Sequence, residues 1–457
     1  MTDLYRPMFQ HLLFPAYESG LRRRKTLRYL REYDSWQWRS SDEIHALQWR
    51  RLKALIAHCW SSVPFYRQWW GEAGPASDED IRSLQDYARL PVLTKPVIRA
   101  HAEALVAPGH RDALYWKTTG GSTGEPLRFG YTRESYERRV AVMLRGYGFA
   151  GARHGERTAF LWGAPVAAPA GFALWKDRIY HAAFNRRMFN AFDMSEARIA
   201  EYMEAMNRFR PETVVGYVGP LDALAAWAEA HGRRLHRPRR VLGAAEALHA
   251  HQRERIGRVF GAPVFDTYGC REFMLLAAEC EAHDGLHINA DHLLLEFGAH
   301  TGAADAAQPE GPADLIITDL HNHGMPLMRY VNGDLGTPHA GGACTCGRGL
   351  PRLAKVDGRR LDALRMPDGR LLPGEYVVYV FLPITGIRQY QVVQHEPDAL
   401  RVRLVPDRDF DPSVHARIEQ GLRTLVGERV RVEFEQVETI ALTPSGKRRV
   451  TVCELPA

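Results

Sequence analysis

Residues 213–218, Thr-Val-Val-Gly-Tyr-Val, and residues 264–268, Val-Phe-Asp-Thr-Tyr, decide the fold through what surrounds them. Each is a short run rich in β-branched and aromatic side chains, the composition of a buried strand. Ahead of the first, Ile199, Met203 and Met206 recur on one helical face that Pro211 ends. Between the two runs, Leu221 to His231 carries a helical pattern ending at Gly232, a short strand centres on Val241, and His249 to Phe260 is helical up to Gly261. Strands separated by helices of this length join through crossovers, so the sheet is expected to be mostly parallel. Such sheets bind ligands beyond the carboxyl ends of their strands. On topology alone, Gly216-Tyr217, Gly243 to Glu246 and Tyr268 to Glu272 become candidate site residues.

Outward from this centre, residues 1 to about 100 read as helices and loops. Ser40 and Glu43 have the spacing of a capping box, followed by Ile44, Leu47, Leu52, Leu55 and Ile56 at helical intervals. The basic run Arg22 to Lys25 is read as a solvated face. The Ala/Gly/Pro-rich stretch from Gly298 to Pro312 reads as a surface loop. Beyond Gly358 the pattern changes, with strands expected at 377–382, 389–394, 400–405 and 430–434 and a helix from Ser413 to Val426. The expectation is an α/β protein: a large domain, 1–357, with mostly parallel sheets and helices, and a small α+β domain, 358–457.

With 457 residues, 45% of them hydrophobic and 25% charged, the chain can bury a sizeable core and is not of disordered composition. A disulfide mini-protein or a lone nucleic-acid-reading module is excluded by size. The net charge of +6 is too small over this length to argue for nucleic acid but suits an anionic small substrate. No stretch approaches the roughly 18 to 20 apolar residues of a membrane span, and the first residues lack a signal-peptide layout, so a cytoplasmic protein is expected. Six cysteines are too sparse for a disulfide framework.

The segment most informative for chemistry is Lys117-Thr118-Thr119-Gly120-Gly121-Ser122-Thr123-Gly124-Glu125-Pro126. Its glycines let backbone N–H groups turn toward a ligand, and its hydroxyls can donate to polyphosphate oxygens. No Gly-Lys-Ser/Thr closes it, so it is not a Walker loop.

Together with Leu161-Trp162-Gly163, Gly243-Ala244-Ala245-Glu246, Tyr268-Gly269-Cys270-Arg271-Glu272, Met325-Pro326-Leu327-Met328-Arg329-Tyr330, Asn332-Gly333-Asp334, Gly358-Arg359 and Pro444-Ser445-Gly446-Lys447-Arg448, this loop resembles the adenylate-forming superfamily of acyl- and aryl-CoA synthetases. Within it, the chain is similar to the phenylacetate–coenzyme A ligase family and its capsule-biosynthesis-associated branch. The resemblance implies the adenylate-forming enzyme fold, with a mobile small domain. It also implies a two-step reaction in which ATP and a carboxylic acid give an acyl-adenylate and pyrophosphate, after which an acceptor displaces AMP.

By this resemblance, Thr118, Thr119, Gly120, Gly121, Ser122, Thr123 and Gly124 hold the β- and γ-phosphates, and Glu272 holds Mg²⁺. Gly243, Ala244, Ala245 and Glu246 form the adenine-contacting turn, and Tyr268 with Gly269 flanks the adenine or acyl group. Asp334 accepts from the ribose hydroxyls, Arg359 contacts ribose or phosphate, Asp362 is the pivot, and Lys447 reaches in during adenylation. Thr123, Glu272 and Lys447 are the expected catalytic residues. Trp162, Gly163, Tyr217 and Val218 fall where the family lines its acyl pocket, favouring a flat or short acid such as an aryl acid.

The expected ligands are ATP, Mg²⁺, a small carboxylic acid and an acceptor: CoA, an amine or a carrier-protein thiol. Neither nucleic acid nor a membrane span is expected, and a homodimer is compatible. Relatives with an equivalent Cys/His set are thought to bind Zn²⁺, and Cys280, His287, Cys344 and Cys346 would make a closed structural site of that kind, with His283 competing for the imidazole place. Competing functions are a phosphotransferase that releases ADP and a non-catalytic nucleotide-binding regulatory protein.

Overall fold

The computed structural model describes residues 5–118, 127–163, 172–298, 311–359, 363–366, 371–372, 374–381, 383–427, 429–441 and 449–455. Thr119 to Gly124 of the glycine loop, Asp362 and Lys447 lie outside the described residues, as does most of the loop expected between Gly298 and Pro312. The loop's flanks are strands β1, Tyr115–Thr118, and β2, Arg128–Tyr131, paired antiparallel with Thr118 opposite Arg128.

The alternation read around 213–268 builds one half of an eleven-stranded sheet. Strands β3 (Thr158–Trp162), β4 (Arg186–Asn190), β5 (Thr213–Tyr217), β6 (Arg240–Ala244) and β7 (Val264–Cys270) run parallel in the order β4-β3-β5-β6-β7. They are covered on both faces, which is why they read as nearly continuous apolar runs. On one face Ile199, Met203, Met206, Leu221, Ile256 and Phe260 from three helices pack on Leu161, Val214 and Val241. On the other, Val215, Leu242 and Phe265 meet Tyr147 of helix Arg133–Phe149.

The other half is antiparallel. Strands β8 (Met274–Glu279), β9 (Leu286–Ile288), β10 (Leu293–Gly298), β11 (Ala313–Asp319), β12 (Tyr330–Pro338) and β13 (Arg352–Arg359) continue the sheet in the order β7-β8-β9-β13-β12-β11-β10. Helix Ser41–Ser62 packs its buried Leu52, Leu55 and Ile56 into this half. Its capping box forms: Ser40 Oγ accepts from Glu43 N–H at 3.2 Å, and Glu43 accepts from Ser40 N–H at 3.0 Å. Such a cap is worth about 1 kcal/mol.

After β13, the two-residue strands β14 (Leu364–Arg365) and β15 (Leu371–Leu372) pair. Strands β16 (Ile387–Glu396), β17 (Ala399–Pro406), β18 (Arg431–Gln436) and β19 (Thr451–Cys453) form a separate sheet ordered β18-β17-β16-β19, packed on helix Val414–Val426. The strand expected at 377–382 is corrected: Gly374–Phe381 is a helix that buries Val377 and Phe381, four residues apart, and stacks Phe381 on Tyr390 with ring centres 3.8 Å apart. A short apolar run fits either element by periodicity, and here packing on the sheet decides. No helix among the described residues is long and apolar enough to cross a membrane.

Candidate active site

The strand ends predicted from topology converge. Leu161 pairs with Gly216, Tyr217 with Ala244, and Gly243 with Asp266, so Trp162-Gly163, Tyr217, Ala244 to Glu246 and Tyr268 to Glu272 follow one another along the carboxyl edge of the parallel half. Antiparallel β12 then brings Tyr330, Asn332 and Asp334 to the same place. Asp334 is paired in register with Arg359 of β13.

At the centre lies the Asp334 carboxylate. It accepts from Tyr268 Oη at 3.0 Å and from Asn332 Nδ2 at 2.6 Å, and Arg359 Nε lies 3.5 Å from its other oxygen. Asn332 Nδ2 also donates to Tyr268 Oη at 2.9 Å, while Asn332 Oδ1 accepts from Asp334 N–H at 3.0 Å. Burial, then the Asp334 charge, pushes the Tyr268 phenol well above its usual range, so it stays a donor. The result is a carboxylate oriented by three neighbours, of which Tyr268 and Asn332 are buried.

Glu272 is buried beside it, and one of its oxygens accepts from Tyr330 Oη at 2.9 Å. Burial and the Glu272 charge keep the Tyr330 hydroxyl protonated. One oxygen of the Glu246 carboxylate accepts from Gly219 N–H at 2.6 Å, at the start of helix Val218–Ala230, where an acidic group complements the helix N-terminus. Ala245 takes a left-handed φ of 67° to make that turn. Gly269 has a packing reason to be glycine, since a Cβ there would lie 2.2 Å from the Met274 carbonyl oxygen across the β7–β8 irregularity.

Of the expected acyl-pocket residues, Trp162 and Tyr217 pack edge to face, ring centres 4.8 Å apart. Phe192, which the sequence reading missed, sits 6.1 Å from Tyr217 and closes over Gly163, where a Cβ would be 2.6 Å from Phe192 Cζ. It lies two residues past β4 and carries no local motif. Val218 is fully buried, with a methyl against Gly243, and so belongs to the packing behind the wall. Asn332 and Tyr330 were also missed as site residues; the signal for both was their place in the Tyr330 to Asp334 run.

A second cluster sits at the opposite end of the antiparallel half. Cys280 follows β8, His287 lies in β9, and Cys344 and Cys346 belong to the loop between β12 and β13; their donor atoms all lie within 4.8 Å of one another. Cys280 Sγ is 3.7 Å from Cys344 Sγ, and Cys346 Sγ is 3.3 Å from His287 Nε2. A disulfide is about 2.05 Å. The edges of a tetrahedral zinc site are about 3.8 Å for S···S and 3.5 Å for S···N, from bond lengths of about 2.3 and 2.05 Å. His287 Nδ1 faces the Leu350 carbonyl oxygen at 3.2 Å, which leaves Nε2 for the cluster. His283 is elsewhere, stacked on Phe265. Three sulfurs and one imidazole nitrogen, mostly buried, fit Zn²⁺.

The family described as the CapK C-terminal domain matches residues 364–454. Over 364 residues the chain is 29% identical to a phenylacetate-coenzyme A ligase of Thermus thermophilus, covering 77% of this chain and 78% of the relative. It is 22% identical over 428 residues to Protein CapK of Staphylococcus aureus, covering 91% and 90%. In three dimensions it resembles 2-hydroxyisobutyryl-CoA ligase in its postadenylation state, with a TM-score of 0.70, 21% identity, and 92% and 91% of the two chains covered. Over most of its length the chain is therefore similar in sequence to the phenylacetate–coenzyme A ligases and to CapK, and its fold resembles that of an adenylate-forming CoA ligase.

Proposed function

We propose that the chain joins a small carboxylic acid to ATP, releasing pyrophosphate, and then passes the acyl group to a thiol or amine. In the first step a carboxylate oxygen attacks the α-phosphorus and the bond to the pyrophosphate oxygen breaks. In the second, the acceptor's sulfur or nitrogen attacks the acyl carbon, AMP leaves, and the acceptor gives up its proton. Both steps gather negative charge, so orientation and charge neutralisation are what the protein must supply.

The observation that carries this reading is the Asp334 carboxylate, fixed by Tyr268, Asn332 and Arg359 one side chain away from Glu272. A fixed acceptor suits a vicinal diol, and the reading gives Asp334 the ribose hydroxyls and Arg359 the adjoining ribose or phosphate. The main chain of Gly243 to Glu246 would border adenine. Thr118 to Gly124, with Thr123 among them, would hold the outer phosphates, and Lys447 would bring its point charge to the carboxylate and α-phosphate on small-domain closure. Glu272, a buried hard oxygen donor, fits Mg²⁺, which when bound would offset phosphate charge.

For the acid, the aromatic wall of Trp162, Tyr217 and Phe192 favours a flat aryl or similarly small acid. CoA is the leading acceptor because the ligase relatives are named for it; an amine or carrier-protein thiol is the alternative. Cys280, His287, Cys344 and Cys346 would hold a structural Zn²⁺ that pins the β12–β13 loop to the sheet. The test is acid-dependent exchange of labelled pyrophosphate into ATP across aryl, aliphatic and amino acids, followed by CoA or amines with the best acid. Exchange with a flat acid supports the reading; no exchange with any acid defeats it.

A further inference from the structure

The helix running from Tyr5 to Leu21 contains two π-helical stretches, Phe9–Leu13 and Ala16–Leu21. Phe9 and Phe14, five residues apart, match that wider turn and are both buried. They pack on Phe184 at ring distances of 5.2 and 5.9 Å, and Tyr17 joins the same seam at 5.5 Å. This fastens the segment to the end of helix Phe172–Ala183.

Both members of this pair leave large apolar side chains exposed. Leu12 is 62% exposed, Leu21 75% and Trp175 59%, and Met8 and Ile179 are exposed as well. Met8 and Leu12, like Trp175 and Ile179, are four apart and share a helix face. Basic side chains border the apolar ones. Arg22 and Arg23 directly follow Leu21, and Lys176 and Arg178 lie on either side of Asp177 between Trp175 and Ile179; these four cations are exposed. The basic turn is held in place. Arg133 donates to the carbonyl oxygens of both Arg22 and Arg23, and Arg23 keeps a left-handed φ of 50°. Glu18, the acidic residue within the segment, is buried and committed to Arg24 and Thr26.

We propose that this face docks the chain onto an anionic lipid bilayer, with Leu12, Leu21, Trp175 and Ile179 entering the headgroup boundary and Arg22, Arg23, Lys176 and Arg178 meeting lipid phosphates. Apolar side chains flanked by cations are what an interfacial helix presents to such a surface. A second copy of the chain is the weaker occupant. A two-fold contact would set Arg22 and Arg23 against their own counterparts, with no exposed carboxylate of the Tyr5–Leu21 segment to offset that pair. The basic run read from sequence as a solvated face thus gains a partner once its apolar neighbours are seen to be exposed.

The test is co-sedimentation of the full chain with vesicles of phosphatidylcholine containing about one quarter phosphatidylglycerol, and with phosphatidylcholine alone. The proteins are wild type, Leu12→Glu with Trp175→Glu, and Arg22→Glu with Arg23→Glu, each checked by circular dichroism. Wild type is expected to bind anionic vesicles at least tenfold more tightly than either variant, to lose binding in high salt, and to bind neutral vesicles weakly. Wild type remaining in the supernatant with anionic vesicles, or variants binding as well as wild type, overturns the proposal. So does sedimentation velocity showing a wild-type dimer that Leu12→Glu with Trp175→Glu splits.

Discussion

Tyr268 donates its phenolic proton to Asp334 at 3.0 Å, joining β7, the last strand of the parallel half of the sheet, to the antiparallel strand β12. The two residues are 66 apart in sequence, and neither is held so firmly without the other. Removing the hydroxyl in Tyr268→Phe should leave the fold intact and raise the KM for ATP about ten- to a hundredfold, since a hydrogen bond to a charged group contributes about 1.5 to 3 kcal/mol. Steady-state kinetics with ATP varied checks this, and the KM for the acid should stay within about twofold.

Lys447→Ala should lower pyrophosphate exchange by about 10²- to 10³-fold, the scale for removing a charge aimed at a transition state, while ATP binding by calorimetry is largely kept. Unchanged turnover would remove the lysine from the mechanism.

Gly163→Ala would press a methyl group toward Phe192, whose ring is half-exposed and can rotate. The variant should fold normally and shift its preference toward smaller acids, raising the KM for an aryl acid by about tenfold without changing that for ATP. A methylene-scale change in a pocket has that size.

The cysteine cluster should carry one zinc ion per chain by elemental analysis. Cys344→Ser should lose the metal and lower the thermal midpoint by several degrees, because the ligands anchor a loop to a buried strand. Full thermal stability without metal would argue against a structural role.

His292 supplies a pH dependence. It is buried at 1% exposure, its Nδ1 lies 2.9 Å from Tyr33 Oη, and burial pulls its pKa from 6.5 down to about 4. The Tyr33 phenol is pushed up by burial and stays the donor, so Nδ1 accepts and the ring is neutral. Because the folded pKa is depressed, the unfolded chain takes up the proton first. Stability is therefore fully present above about pH 6.5 and is lost as pH falls toward 4, by up to about 3 kcal/mol. Denaturant unfolding of wild type against His292→Gln should show a shallower acid decline in the variant.

What was legible in the sequence was what depends on local pattern. β-branched runs between helices gave the parallel half, Ser40 and Glu43 gave a helix start, and strand ends gave the right edge for Tyr217, Glu246 and Tyr268. The antiparallel half was less visible, because β8 to β13 pair out of chain order and β9 is only three residues long. Helix Gly374–Phe381 was misread because its Val and Tyr content suits a strand, and only packing on Tyr390 distinguishes the two. Phe192 was illegible for a different reason: its place comes from lying over Gly163, 29 residues back in sequence, and no short-range spacing encodes that. Glu246 was rightly placed at the edge, but its carboxylate turns to the Gly219 N–H, a choice set by the helix that begins next door.

The most direct measurement is the nucleotide balance of the reaction. Wild type given ATP, its acid and an acceptor should form AMP and pyrophosphate in equal amounts with no ADP, and Asp334→Ala should fall below about 1% of that rate, the loss expected when a charged anchor for the nucleotide is removed. ADP as the product, or an Asp334→Ala variant as fast as wild type, would contradict the account.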